Sequence, residues 1–421
     1  MSSRLLKPLA TLLSGSAVAQ GVTLLSYLVL TRIYSPDDFG AFNIFYSYIE
    51  ILIILSTCKY ELAPVIADSD REASAVSRFS LRLNAFVSAA ILVILIPLNL
   101  FHCLPGNLSS IGWTTILIPF LVFFCGTSRV YAALFNRFKR FSQIVYSDLS
   151  ISIGGALFKI LLAFSRLLHG IGLPLGTVLG QAAGNINYLV NLRRLNLPSD
   201  VTRSERIAAA RKFRKFPIFT ASKDFVDALS SNLPFIWLAT ALAVPDAQIG
   251  LYGLALTFTF RPVNVFNNAA ERVLYVEIDG RLRDRLPLGR LISRFILIVS
   301  LVSLPVFALL YLYAEPLLSF VFGSEWAGST PYFHALLPWM WLLLASNSLL
   351  AIPYALSKQQ GEFYFSLATL LLRVVALTLG ILHNNFLLAI QLYAAATSLV
   401  IILRLVWYAI LLHRHDQSLR Q

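Results

Sequence analysis

Runs of about 20 apolar residues, the length that an α-helix needs to cross a bilayer, follow one another along the 421-residue chain. Short polar loops separate these runs. Hydrophobic residues make up 57% of the chain and charged residues only 13%. Because soluble domains carry roughly 25% charged residues, this composition excludes an ordinary soluble protein. The sequence therefore predicts an all-α membrane protein.

Ending each apolar run at charged residues or at Pro and Gly clusters predicts twelve transmembrane helices. The predicted spans cover residues 9–31, 39–57, 80–100, 113–135, 144–165, 173–192, 217–243, 248–269, 292–313, 332–354, 363–382 and 386–412. Outside these spans, nearly all Lys and Arg residues fall in alternate loops and near the two ends of the chain, while the opposite loops hold Arg32 and Arg166. Since basic loops stay on the cytoplasmic side, we predict that both termini are cytoplasmic.

A similar phrase occurs in both halves of the chain and indicates a duplication. Pro36–Gly40 and Pro245–Gly250 each begin with Pro-Asp, end with Gly, and join one apolar run to the next. Six predicted spans separate the two phrases, so the repeats have the same orientation. We therefore predict two six-helix bundles related by parallel pseudo-two-fold symmetry, with an N-terminal bundle at residues 1–200 and a C-terminal bundle at residues 201–421. Two equivalent halves in a membrane are typical of a transporter.

Most basic residues are explained by topology. The linker between the predicted bundles, at about residues 193–216, is the most basic loop, and we predict that Ser204–Phe216 forms a short amphipathic helix on the inner leaflet. Arg129 and Arg404 lie near the cytoplasmic ends of their spans and are expected to extend to the lipid headgroups. The net charge of +13 therefore does not call for nucleic acid as a partner.

Polar side chains recur at helical spacing on the first, second, seventh and eighth predicted spans. They are Ser16, Gln20, Thr23 and Tyr27; Asn43, Ser47 and Glu50; Thr220, Asp224, Asp227 and Ser231; and Thr257, Arg261, Asn264, Asn268 and Glu271. The first two of these spans correspond to the other two under the duplication, so we predict that all four helices face one hydrated cavity. The alternative is that the hydroxyl and amide groups only hydrogen-bond neighbouring helices.

Cations deep inside a span are costly and therefore mark a candidate site. Lys159, Arg261 and Arg373 would give the predicted cavity a positive field, which suits an anion. A phosphate or diphosphate is the natural candidate, because Arg binds it through two parallel hydrogen bonds. Together with Asn264 and Gln20, these cations are the predicted substrate-binding residues. The alternative is that the buried charges pair with one another.

Glu50, Asp224 and Asp227 are the predicted ion-coupling residues, because intramembrane carboxylates are usual carriers of protons and cations. The sequence has no nucleotide-binding glycine loop, so we expect an ion gradient, of protons or sodium, to drive the cycle. The alternative is that Asp224 and Asp227 pair with Lys223 or Arg261 for structure alone. The three cysteines lack metal-binding spacing, and we expect no catalytic residue, no metal and no cofactor.

Five short phrases resemble those of one family. They are Leu12–Gln20, Leu30–Gly40, Lys59–Ala63, Gly250–Gly253 and Phe322–Trp326. In order and spacing they resemble the Wzx-type O-antigen flippases, polysaccharide biosynthesis proteins of the MATE-like (MOP) exporter superfamily. The resemblance implies alternating access around a central cavity. It also implies a substrate, an oligosaccharide repeat unit on undecaprenyl diphosphate, that crosses the bacterial inner membrane for O-antigen, and hence lipopolysaccharide, or for another surface polysaccharide.

The same resemblance implies the partners. They are the lipid-linked oligosaccharide, membrane lipids, a polysaccharide polymerase and a chain-length regulator, with the chain itself a monomer. Two other functions stay open from the residues alone. A multidrug or cation antiporter of the MATE type would need an anionic binding region, whereas the deep cations favour an anion. A non-transporting scaffold for glycan assembly would leave the polar stripes without a purpose.

Overall fold

The computed structural model describes residues 3–165, 168–198, 200–350, 352–353, 356 and 358–419. All regular secondary structure in these residues is helical, as predicted. We number the α-helices of nine residues or more in chain order. They are α1 (Ser3–Ile33), α2 (Pro36–Thr57), α3 (Asp70–Leu100), α4 (Leu117–Arg137), α5 (Phe141–Ala163), α6 (Gly172–Leu192), α7 (Arg203–Lys212), α8 (Ser222–Leu233), α9 (Asp246–Arg283), α10 (Gly289–Leu312), α11 (Ala314–Phe322), α12 (Thr330–Ser346), α13 (Gln359–Leu382) and α14 (Phe386–Ser418).

Eight helical segments of the described chain are long and apolar enough to cross a membrane, so the protein is a multi-pass membrane protein. They are Pro36–Thr57, Asp70–Leu100, Leu108–Arg137, Phe141–Ala163, Gly289–Leu312, Ser324–Leu350, Gln360–Leu382 and Phe386–Gln417. The other four predicted spans also fall on helical segments. That all twelve cross the membrane in two bundles stays a prediction.

Contacts between helices divide the chain into two compact units, Met1–Thr240 and Ala241–Gln421. In the first unit, α5 packs along α6 and α1, and α4 packs against α2, α3 and α6. In the second unit, α14 packs along α13, and α12 packs against α9, α10 and α14. The segment 201–240, which holds α7 and α8, packs within the first unit. The repeat boundary at residues 200 and 201 remains a prediction about the duplication.

A ridge of glycines brings α5 and α6 unusually close together. On α6 the glycines recur at every fourth residue, at Gly172, Gly176, Gly180 and Gly184. A Cβ atom on Gly180 would lie only 2.6 Å from the Cα atom of Gly155 on α5. Small residues at this spacing let two membrane helices approach until their backbones touch. The ridge therefore lets α5 and α6 pack closely along each other.

The linker helix α7 begins at a capping box. The Thr202 hydroxyl accepts a hydrogen bond from the Glu205 backbone N–H at 3.2 Å, and the Glu205 carboxylate accepts one from the Thr202 N–H at 2.7 Å. Arg71 on α3 donates from Nε to Glu205 at 2.5 Å. Hydrogen bonds from Arg71 and Thr202 lower the pKa of Glu205 to about 2. This network ties the linker to the start of α3.

One face of α7 is covered by protein. Ala209 and Ala210 of this helix, together with Phe213, belong to a buried cluster with Val76 of α3 and Tyr60. The Tyr60 hydroxyl donates to the Ala210 carbonyl at 3.1 Å. The predicted linker helix is therefore present, and Ala209, Ala210 and Phe213 pack on the first unit, while Ile207 of the same helix is 38% exposed.

Candidate functional site

A cavity of about 520 Å³ lies in the first unit, among α2, α4, α5, α6 and α8. Its charged lining residues are Glu50, Asp148, Asp224, Asp227, Lys59 and Arg129. The three carboxylates that the sequence predicts for ion coupling, Glu50, Asp224 and Asp227, are therefore brought together. Carboxylates outnumber cations in the lining, so the cavity is acidic.

Glu50 reaches the cavity from α2. This helix starts at Pro36 because Ser35 and Asp38 form a capping box, in which Asp38 accepts from the Ser35 N–H at 2.9 Å. Glu50 is exposed, and its carboxylate accepts a hydrogen bond from Asn232 Nδ2 at 2.9 Å. It forms no salt bridge with any residue in the described part of the chain. A carboxylate held by a neutral donor can take up a proton or a cation without first breaking an ion pair.

The two carboxylates of α8 are held by lysines. Asp224 lies 2.7 Å from Lys59 Nζ and 3.8 Å from Lys223 Nζ. Asp227 lies 2.8 Å from Lys223 Nζ, one helical turn away. The pairing of both aspartates with Lys223, the structural alternative raised from the sequence, is thus present. The side chains of Asp224 and Asp227 are nevertheless 31% and 42% exposed, so neither ion pair is sealed inside the protein.

Two π-helical turns bracket α8. They cover Phe216–Ala221 before the helix and Pro234–Leu238 after it, and each has a proline in its first two positions. Turns of this kind are rare and occur often at functional sites, because they shift the side chains out of the regular α-helical register. Asp224 and Asp227 therefore lie on a short α-helical segment that is bounded by a π-helical turn at each end.

Sequence reasoning missed several polar lining residues as site residues, among them Lys59, Arg129, Asp148 and Gln181. Lys59 follows α2, and the sequence pattern indicates only a basic loop residue there. It is also the first residue of Lys59–Ala63, one of the five phrases that resemble the family. Arg129 was expected at the headgroups, but it lines the cavity and places Nη1 4.0 Å from Glu61 Oε1. On α6, Gln181 has the same helical spacing as the stripes on other spans, and that signal could have found it.

The predicted substrate-binding residues of the first unit do not line this cavity. Lys159 Nζ lies 5.0 Å from the ring centroid of Phe42, a cation–π contact. The Lys159 carbonyl accepts a hydrogen bond from the Tyr34 hydroxyl at 2.8 Å. Gln20 is half-buried on α1. The side chain of Ser16, from the same predicted stripe, lies outside what the structure describes.

In the second unit, Arg373 is enclosed by protein groups. Its residue exposure is 7%. Its guanidinium carbon lies 4.6 Å from the Tyr393 ring centroid and 5.5 Å from that of Trp339. Nε donates to Thr397 Oγ1 at 2.9 Å. These fixed contacts favour a structural role, and its predicted role in substrate binding stays untested.

Arg261 and Asn264 lie about one turn apart on α9, and both are half-buried. No carboxylate in the described residues forms a salt bridge with Arg261. The sequence hypothesis that Arg261 merely pairs with an intramembrane carboxylate therefore has no support among the described contacts. Of the three predicted deep cations, Arg261 is the one that makes no ion pair, side-chain hydrogen bond or cation–π contact with the described residues, so its charge is open to an anion.

Arg404 turns into the second unit instead of toward the headgroups. Its Nη2 donates to Ser346 Oγ at 3.1 Å and to Asn347 Oδ1 at 2.9 Å, and its Nη1 lies 3.7 Å from Glu362 Oε2. Glu362 is buried and also accepts from the Tyr408 hydroxyl at 2.5 Å. A buried carboxylate needs such partners, because an uncompensated charge is strongly destabilising.

An all-helical membrane chain with a charged cavity is typical of transporters, and the comparisons with known proteins define which class. The family model described as polysaccharide biosynthesis protein matches residues 29–331. The chain belongs to this family. A curated relative, the succinoglycan biosynthesis transport protein ExoT of Rhizobium meliloti (strain 1021), is 25% identical over 365 residues, which cover 85% of this chain and 70% of ExoT.

Solved structures show the same fold. The lipid II flippase MurJ in an inward closed conformation matches with a TM-score of 0.70 at 11% identity, over 96% of this chain and 90% of MurJ. An inward-facing multidrug resistance MATE family transporter of the MOP superfamily matches with a TM-score of 0.66 at 14% identity, over 95% and 96% of the two chains. The polysaccharide biosynthesis family that the resemblance indicates is therefore confirmed, and the chain shares its fold with transporters of the MOP superfamily.

Proposed function

We propose that this protein is a flippase that moves an oligosaccharide repeat unit on undecaprenyl diphosphate across the bacterial inner membrane by alternating access. Membership of the polysaccharide biosynthesis family supports the glycan. The fold shared with a lipid II flippase supports a lipid-linked form of it. The termini are cytoplasmic in this proposal, as the distribution of basic loops indicates.

The observation that carries the proposed ion coupling is the convergence of Glu50, Asp224 and Asp227 in one cavity. Three carboxylates that share a cavity repel one another when all are charged, so taking up a proton or a cation relieves the repulsion. Glu50 is the leading carrier, because its described partner is the neutral amide of Asn232. An ion gradient can thus be coupled to the conformational cycle without a nucleotide site.

The test is to delete the gene in its own host and complement it with the wild-type chain. On deletion we expect surface polysaccharide to be lost and lipid-linked repeat units to accumulate in the cytoplasmic leaflet. Sensitivity to cationic drugs should be unchanged. Restoration by the wild-type gene is the control. Normal polysaccharide in the deletion strain would overturn the proposed function.

A cation or multidrug antiporter is the second candidate, and the acidic lining of the cavity favours it. An exporter of cationic drugs needs an anionic binding region, and here carboxylates outnumber cations. The same deletion strain separates the two functions. Increased sensitivity to cationic drugs with normal polysaccharide would establish the antiporter instead.

A further inference from the structure

We propose that Lys59 and Arg129 bind the diphosphate group of the substrate, and that Asp224 occupies Lys59 until the diphosphate displaces it. This inference rests on the proposed flippase function and deepens it. It assigns the anion to the cavity of the first unit, rather than to the deep cations Lys159, Arg261 and Arg373 that the sequence singles out.

The backbone presents Lys59 to the cavity in an unusual way. Cys58 and Lys59 have φ angles of 47° and 61°, in the left-handed region that residues with a Cβ atom rarely adopt. Cys58 closes α2 through its N–H, which donates to the Ile54 carbonyl at 2.9 Å. Lys59 in turn precedes a short 3₁₀ turn, Tyr60–Leu62, and its carbonyl accepts a hydrogen bond from the Leu62 N–H at 3.2 Å. The two left-handed residues thus place Lys59 between the end of α2 and this turn, in the lining of the cavity.

Arg129 stands in the same lining with unused hydrogen-bonding capacity. Its side chain is 41% exposed, and its nearest carboxylate oxygen, on Glu61, lies at 4.0 Å, the outer limit of a salt bridge. Within the described residues its guanidinium donates no hydrogen bond. An arginine has five donors in a planar fork that matches two phosphate oxygens. Arg129 can therefore bind a phosphate without giving up an existing hydrogen bond.

Asp224 is a partner that an anion can replace. It lies 2.7 Å from Lys59 Nζ, yet 31% of its side chain is exposed, while the Lys59 side chain is 16% exposed. Asp224 also lines the cavity, so an anion that enters the cavity can compete with it for Lys59. A diphosphate carries more negative charge than one carboxylate and can contact Lys59 and Arg129 together. Its binding would therefore break the Lys59–Asp224 pair.

The displacement links the substrate to the ion-coupling residues. Once Lys59 turns to the diphosphate, Asp224 keeps only Lys223, which Asp227 also contacts. The carboxylate charge of the cavity is then less compensated, and uptake of a cation becomes more favourable. One event, binding of the diphosphate, thus prepares the cavity for the driving ion.

The test is a calorimetric titration, in which inorganic pyrophosphate is added to the purified full-length protein in detergent. Lys59→Gln and Arg129→Gln should each weaken binding about tenfold or more, because charge-assisted bonds to phosphate are the strong ones. Asp224→Asn should tighten binding about two- to fivefold, since it removes the competing ion pair. Asp224→Glu keeps the charge and should leave the affinity near that of the wild type.

The matched control is Lys139→Gln. Lys139 is exposed, does not line the cavity and has a comparable φ of 55°, so its loss should leave pyrophosphate binding unchanged. Thermal unfolding of each variant confirms that it is folded. Absence of pyrophosphate binding by the wild type, or an Asp224→Asn affinity no tighter than the wild type in a folded protein, overturns the proposal. Surface polysaccharide in the deletion strain tests the flippase function separately and can succeed where this inference fails.

Discussion

The two units surround their charged side chains in opposite ways. The carboxylates of the acidic cavity in the first unit are partly exposed, whereas Arg373 in the second unit is enclosed by protein groups. In the cavity, the Asp227 side chain is 42% exposed and Glu50 is held by a neutral amide. Arg373 is 7% exposed and is enclosed by two aromatic rings and a threonine hydroxyl. Both the cavity carboxylates and Arg373 lie within predicted membrane spans, where charged side chains are rare. What separates them is whether the partners of the charge can be exchanged.

The largest effect is expected for Arg373→Ala. Removing the guanidinium deletes both cation–π contacts and leaves Thr397 without its donor, at a cost on the order of 3 kcal/mol. We expect low membrane abundance and a reduced unfolding temperature in detergent. Arg373→Lys keeps a cation over the rings and should be milder. Normal abundance with lost polysaccharide would break the comparison, because Arg373 would then act on the substrate.

Glu50→Gln should separate transport from stability. The glutamine can still accept the hydrogen bond from Asn232, so we expect wild-type abundance, but it cannot take up a proton or cation. Export of surface polysaccharide in the deletion strain should fall to a small fraction of the wild-type level. The control is Glu277→Gln, since Glu277 is exposed on α9 and pairs with Arg281. Equal export by the two variants would remove Glu50 from the coupling.

Asp227 and Lys223 form an ion pair whose two members should not be equivalent. If the pair were purely structural, Asp227→Asn and Lys223→Gln would have the same effect. If Asp227 carries the coupling ion, only Asp227→Asn should lower polysaccharide export. Both should change the unfolding free energy by only about 0.5 kcal/mol, the value of an exposed pair one turn apart. Equal losses of export in the two variants would favour the structural alternative.

The smallest effect is expected for surface charges, as Glu205→Gln should show. Hydrogen bonds from Arg71 and Thr202 lower the pKa of Glu205 from 4.5 to about 2. The stabilisation is therefore complete above the ordinary carboxyl pKa and is lost as the pH falls toward about 2. The variant should unfold at a slightly lower temperature than the wild type at neutral pH, and the difference should shrink in acid. A difference that grows in acid would contradict this assignment.

The sequence predicts the helices of this protein well, because apolar runs and their limits are local features. It also predicts the residues that meet in the cavity from two helices, since Glu50, Asp224 and Asp227 lie on polar stripes at helical spacing. The glycine ridge of α6 carries a clear local signal too, with glycine at every fourth residue from Gly172 to Gly184.

Local sequence patterns do not predict which groups contact the charged residues. Lys59 contacts Asp224 from a turn in which two successive residues adopt the left-handed conformation, and neither of them is glycine. The surroundings of Arg373 come from Trp339 on α12 and from Tyr393 and Thr397 on α14, contacts that the stripe argument does not address. Likewise, α3 and Tyr60 cover Ala209 and Ala210 of α7. Each of these features depends on contacts between segments far apart in the chain.

The most direct test of the central claim is to measure the leaflet distribution of lipid-linked repeat units in the deletion strain. The strain would carry the wild-type gene or the double variant Glu50→Gln, Asp227→Asn, each at equal membrane abundance. We predict that the wild type restores repeat units to the outer leaflet, while the double variant leaves them in the cytoplasmic leaflet. Equal outer-leaflet levels with the two genes would contradict transport through the acidic cavity.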